Sequence, residues 1–275
     1  MFTPDRTIKL ARRRLLTPRM RAAFHTSAFS ASIANSGDLL QLTEVPDAIL
    51  PASGAGLLSN DLAYLHALAF VGPDLIRGQM QAPSLRDYGN QDVEPINIGT
   101  AFESPPRVDD FSKKPIPLAQ AEEWDLFAAQ GNAMSSEIET GFLWSSDGGM
   151  DPYPGKKIVQ IKWTASITLI AGTWSLIQLT MAQPMAAGKY AMVGARCVSA
   201  GALAFRFVPS GGQSATNARP GGIACQTSDQ LDWPLQRKGG WGKWLDFTNT
   251  TLPQMEVFSL TADTSEEGVI DVVPY

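Results

Sequence analysis

The clearest pattern in the chain lies between residues 159 and 169. Val159, Ile161, Trp163, Ala165, Ile167 and Leu169 alternate with Gln160, Lys162, Thr164, Ser166 and Thr168. A period of two predicts a half-buried strand roughly 36 Å long at ~3.3 Å per residue, with Val159, Ile161, Trp163, Ile167 and Leu169 lining a sandwich core. Ala171-Gly172 interrupts the run, and Thr173–Met181 resumes it with Ser175, Ile177, Leu179 and Met181 on one face. The two segments read as a long antiparallel hairpin. Further strands are predicted at 188–198, 223–227, 241–247, 254–262 and 269–273, and around Leu203, Phe205 and Phe207, which share one face opposite Arg206. Eight short strands with Gly and Pro punctuation and no helical period predict a mainly β chain. The expected fold is an antiparallel β-sandwich of jelly-roll type, occupying 151–275.

The first half is less regular. Residues 38–45 read as a strand closed by Pro46, and 57–70 fits either a helix or a buried strand. Six prolines between 83 and 117 predict an extended, loop-rich traverse. Residues 118–130 are rich in helix formers, with Leu118, Ala121 and Phe127 apolar and Gly131-Asn132 as a stop, so a short helix is expected there. The turn-rich stretch SSDGGMDPYPG at 145–155 marks the expected boundary between a loop-rich region, 25–150, and the sandwich. A double jelly roll would suit the length, but the first half shows too few clear strands to predict one.

Charge changes this picture at one end. Arg6, Lys9, Arg12, Arg13, Arg14, Arg19 and Arg21 face only Asp5 within residues 1–24, so that arm is +6 on a chain of net −5, and the rest must be −11. A basic arm on an acidic body has a partner other than that body, such as nucleic acid, an acidic surface or a neighbouring subunit. Residues 5–35 are also Arg-rich, Ser-rich and nearly free of acids, as mitochondrial presequences are, with Ile8, Ala11 and Leu15 on one helical face. No stretch reaches 18 unbroken apolar residues. Cys197 and Cys225 are too few for a disulfide framework and read as small buried hydrophobes.

Candidate chemistry is sparse. His25 and His66 are the only histidines, which leaves serine triads, thiol proteases and His-rich zinc sites without their parts. His66 sits in an apolar run and reads as a core side chain. P-loop, dinucleotide fingerprint and nucleophile elbow are missing. Asp109-Asp110, Glu122-Glu123 and Glu266-Glu267 read as solvated faces, and Asp147 with Asp151 forms too small an acidic set for a dedicated calcium loop. No catalytic residue, cofactor or metal is expected, and the chain reads as a non-enzyme. Trp233, Trp241 and Trp244 cluster late. Trp241 and Trp244 differ in parity, so one of them is expected in the core and the other at an interface. A lectin-like, ligand-binding sandwich would use the same aromatics as a sugar platform.

The basic arm from Arg6 to Arg21, the proline-rich traverse and the strand series from Ile158 to Val273 together resemble the coat proteins of icosahedral viruses and phages. The resemblance is architectural and rests on no family motif. It implies a virion protein assembled in the host cytoplasm, with itself and other virion proteins as partners. The arm would lie inside the shell, against genome, internal membrane or a neighbouring subunit.

Overall fold

The computed structural model describes residues 24–34, 37–45, 62–85, 91–93, 108–111, 114–119, 122–131, 137–146, 157–209, 218–224, 243–259, 261–262 and 266–275. The first part of the chain forms β1 (Phe24–Ile33), β2 (Leu40–Gln41), β3 (Thr43–Glu44), β4 (Tyr64–Val71), β5 (Leu75–Gln81), β6 (Gln91–Val93), β7 (Val108–Asp110), β8 (Ile116–Pro117), β9 (Asp125–Gln130) and β10 (Glu137–Ser146). They make two antiparallel sheets: sheet 1, in the order β3-β1-β10-β4-β7 with β8 beside β4, and sheet 2, β2-β9-β5-β6. The rest forms β11 (Val159–Ala165), β12 (Thr173–Ile177), β13 (Thr180–Met181), β14 (Lys189–Val198), β15 (Ala202–Val208), β16 (Gly221–Ile223), β17 (Leu245–Thr248), β18 (Gln254–Ser259) and β19 (Glu266–Pro274). These make sheet 3, β12-β18-β15-β16, and sheet 4, β13-β11-β19-β14-β17.

With the short strands β3, β8 and β13, which extend a sheet at its edge, set aside, both halves have the same wiring. One sheet orders its strands first-eighth-third-sixth, and the other second-seventh-fourth-fifth. That is the jelly roll, an arrangement of two Greek keys that protects strand edges by folding one long hairpin into two layers. The chain therefore holds two jelly rolls, not one. Irregularities recur as well: the third strand bulges against the eighth in each half, at His66 and at Val193. The fourth strand bulges against the seventh at its second residue, Ile76 and Leu203. A glycine on each eighth strand leaves room for a core ring. A Cβ on Gly141 would lie 3.0 Å from the Phe70 ring, and one on Gly268 2.6 Å from that of Trp163.

Several expectations are corrected. The helix expected over 118–130 is corrected where the structure describes it: Asp125–Gln130 is strand β9, paired with β5, with Leu126 and Ala128 buried. Helix propensity is a weak local term, and pairing across the sheet overrides it. The loop-rich region is a complete sandwich. Residues 38–45 divide between two sheets, because β2 pairs with β9 and β3 with β1, leaving Leu42 buried between them. The long hairpin expected over 159–181 forms only in part: Trp163 and Thr164 of β11 pair antiparallel with Met181 and Thr180 of β13, but β11 otherwise pairs with β19, and β12 leaves to pair with β18 in the facing sheet. Trp163 and Leu169 are buried as expected and Ile161 packs against the core, but Val159 (36 %) and Ile167 (37 %) are exposed. Val159 heads the strand, and Ile167 lies beyond its last residue, Ala165. A presequence reaching residue 35 conflicts with β1, whose Phe29 and Ile33 are core residues.

Candidate functional site

Among the described residues no group of His, Cys, Asp and Glu is arranged to hold a metal ion. What the fold builds is a joint between its two sandwiches. Sheet 1 buries both faces. Phe29, Leu68, Phe70 and Leu143 pack toward sheet 2, and Ala28, Ala67, Ala69, Phe142 and Trp144 join the other cluster, shared with the second sandwich. Sheet 3 answers with Trp174, Ala204 and Phe258. The Phe142 and Phe258 rings meet edge to face at 5.7 Å between centroids, and Trp174 meets Phe258 at 5.5 Å. Such pairs add about 0.5–1.5 kcal/mol each beyond their buried area. Alanines around the rings keep the two sheets close. The layers thus run sheet 2, sheet 1, sheet 3, sheet 4.

One end of the joint is charged and dry. Glu256 of β18 is fully buried, and its carboxylate accepts from Arg206 Nε at 2.6 Å and from Arg219 Nη1 at 2.8 and 3.1 Å. Arg206 Nη1 also donates to the carbonyl of Thr26 on β1 at 3.0 Å, and its guanidinium carbon lies 4.0 Å from the centre of the Trp174 ring. The Arg219 backbone N–H donates to His25 Nδ1 at 3.2 Å, while the Thr26 N–H donates to the Arg219 carbonyl at 3.0 Å. Strand β1 of the first sandwich is therefore stitched to the second through two arginines held by one carboxylate. Buried charge of this kind costs desolvation, which the paired geometry offsets.

Both histidines are core groups. Burial, and then the charges of Arg206 and Arg219, push the His25 pKa down to about 3. His66 Nε2 lies 2.5 Å from Ser146 Oγ, and burial pushes its pKa to about 4 against the opposing pull of Asp110. Each ring is neutral in the folded protein near pH 7.

The other residues singled out in the sequence separate. Arg6, Lys9, Arg12, Arg13, Arg14, Arg19, Arg21, Trp233, Trp241, Asp147, Asp151 and Cys225 lie outside the described residues. Trp244 is the aromatic that turns inward, 6.3 Å from Phe207 between ring centroids. Cys197 is buried. Glu122 is not simply solvated: it accepts from the Ser84 N–H at 2.8 Å and the Ala119 N–H at 3.0 Å, tying down the chain before β9. Glu266 is buried, whereas Glu267 is exposed and pairs with Lys162 at 3.1 Å. Sequence reasoning missed the joint. Its signal was Arg206 and Glu256, each a lone charge inside an apolar strand, ALAFRFV and QMEVFS. A charge there needs a buried partner, and the two are directly opposite in the β15–β18 ladder.

The outer faces of the stack carry exposed polar residues, although on sheet 4 Ala191, Val193 and Val273 form a small buried cluster with Ile158 against it. On sheet 4, Gln160, Lys162, Thr164 and Glu267 are exposed, and Gln160 Nε2 donates to Asp271 at 2.9 Å. On sheet 2, Gln41 Nε2 donates to Asp125 at 2.9 Å, beside half-buried Phe127 and exposed Arg77.

No protein-family model matches the chain, and no curated protein does. Among solved structures it is similar to the crystal structure of the major capsid protein P2 from bacteriophage PM2, at 9% identity and a TM-score of 0.24, over 93% of this chain and 98% of that one.

Proposed function

We propose that this chain is a shell-building subunit, a double jelly-roll coat protein of a virus or phage, and that it performs no catalysis. The stacking of two complete jelly rolls carries the reading. Their joint brings together unlike sheets, the first-eighth-third-sixth sheet of one roll and the second-seventh-fourth-fifth sheet of the other. One sheet of each kind is then left at the two ends of the stack. A second copy could set its sheet 2 against sheet 4 of the first in the same sense, through their outer faces, and contacts between unlike surfaces extend into rings and larger arrays. In this reading the partners are further copies and other virion proteins, the site is the virion, and assembly takes place in the host cytoplasm. The basic arm, Arg6 to Arg21, would contact genome, internal membrane or a neighbouring subunit.

Light scattering and electron microscopy of the purified full chain test this. The expected result is closed particles many times the 29.6 kDa chain mass. A monomer at every concentration and salt would overturn it. The lectin-like alternative loses one of its three aromatics, because Trp244 is a core residue.

A further inference from the structure

We propose that the joint between the two jelly rolls is an acid-sensitive latch whose trigger is His25. The latch is independent of whether the chain assembles. His25 Nδ1 accepts the backbone N–H of Arg219 at 3.2 Å, so the neutral ring must carry its proton on Nε2. A proton added at Nδ1 would set one N–H against another and break that bond. The neighbours make the change worse. From β15 comes Arg206, from the segment before β16 comes Arg219, and from β18 comes Glu256, bound to both. On the first sandwich, His25 lies opposite uncharged Ser145 of β10 and next to Thr26. The three named charged groups, Arg206, Arg219 and Glu256, therefore sum to +1 before the ring titrates and +2 with it protonated, and all three are buried.

The sign follows from linkage. In an opened joint His25 is wet and titrates near 6.5, while in the closed joint burial and the two arginines hold it at about 3. The open form binds more protons through that interval, so docking is strongest above pH 6.5 and weakens as pH falls toward 3. The opening constant should rise by up to about tenfold per pH unit below 6.5.

Hydrogen exchange read by mass spectrometry on the full chain tests the latch. The amides of Thr26 and Arg219 report it, since both bridge the two sandwiches. After correction for intrinsic rates, opening should grow by about 50-fold between pH 6.5 and 4.5 in the wild type. His25→Gln keeps an acceptor but cannot take the proton, so its profile should be flat over the same window. His66→Gln should keep the wild-type slope at these two amides. A flat wild-type profile, or a His25→Gln variant with the wild-type slope, would overturn the proposal. Exchange at the His25 ring carbon Cε1 gives a second reading that needs no variant. It should show no midpoint near 6.5, and such a midpoint would also sink the idea.

Discussion

The two jelly rolls share topology and even bulge positions, yet only the second could be read from the sequence. Position two of the fourth strand shows why they differ. Ile76 in the first roll is 43 % exposed, whereas its counterpart Leu203 is fully buried. Sheet 2, which holds Ile76, packs on one side only, but sheet 3, which holds Leu203, lies in the middle of the stack. Strand β11 of sheet 4 alternates, with Trp163 buried while Gln160, Lys162 and Thr164 are exposed. The third strands of both rolls, β4 and β14, do not, since each is buried along nearly its whole length. In YLHALAFV every residue of β4 after Tyr64 is buried, and a strand buried on both faces has no period to detect. Similar wiring thus does not guarantee similar legibility.

Removing the shared charge should break this comparison most strongly. Glu256→Gln leaves Arg206 and Arg219 buried without their carboxylate, a loss of about 3–5 kcal/mol. Because Glu256 ties both rolls together, chemical denaturation should change from one transition to two as the rolls uncouple. A single transition at the wild-type midpoint would show that the joint is held by its apolar part alone.

Core truncations sharpen the contrast. Trp163→Ala should cost ~3–5 kcal/mol within the second roll, and Phe142→Ala a similar amount at the joint. Hydrogen exchange distinguishes them. The first variant should loosen β11 and β19 while sparing β4 and β5, and the second should loosen strands on both sides of the joint.

His66 gives a smaller, pH-dependent effect confined to the first roll. Its pKa is about 4 when folded and near 6.5 when unfolded, so the unfolded chain binds more protons between those values. Stability of the first roll should be full above pH 6.5 and fall by up to about 3 kcal/mol as pH drops to 4. His66→Gln, measured by urea melts across this range, should reduce the slope by that share and leave the part due to His25. Least affected should be Val159→Ser and Ile167→Ser, which change exposed side chains and should stay within about 0.5 kcal/mol of wild type. A larger loss in either would show that the exposed end of β11 is covered in solution.

What could be read, and what could not, has a physical basis. Eight strands of the second roll are visible in the sequence because turns and parity punctuate them, and Arg206 does lie opposite Phe205 and Phe207, although Leu203 falls in the bulge of β15. Their pairing was not visible. The first and second strands of a jelly roll, β11 and β12, leave each other for different sheets, and local pattern carries no information on that choice. Strand β9 was mistaken for a helix because Leu126, Ala128 and Ala129 suit both, and only β5, distant in sequence, settles the matter. The joint was hidden for a related reason. Arg206 and Glu256 are 50 residues apart, and nothing between them announces that they meet.

The doubly buried sheet at the centre of the stack also sets a schedule. Sheet 1 is complete once Ser146 has been synthesised, but sheet 3, which covers Phe142 and Trp144, lacks its central strand β18 until Ser259. At about 5–20 residues per second, the intervening stretch of roughly 110 residues takes some 6–22 s on the ribosome. Throughout that interval the first roll presents an uncovered face of Ala28, Ala67, Ala69, Phe142 and Trp144 to every other nascent copy nearby. A chain made at high local concentration must survive this exposed period, which makes the pace of translation through its second half part of what determines its yield.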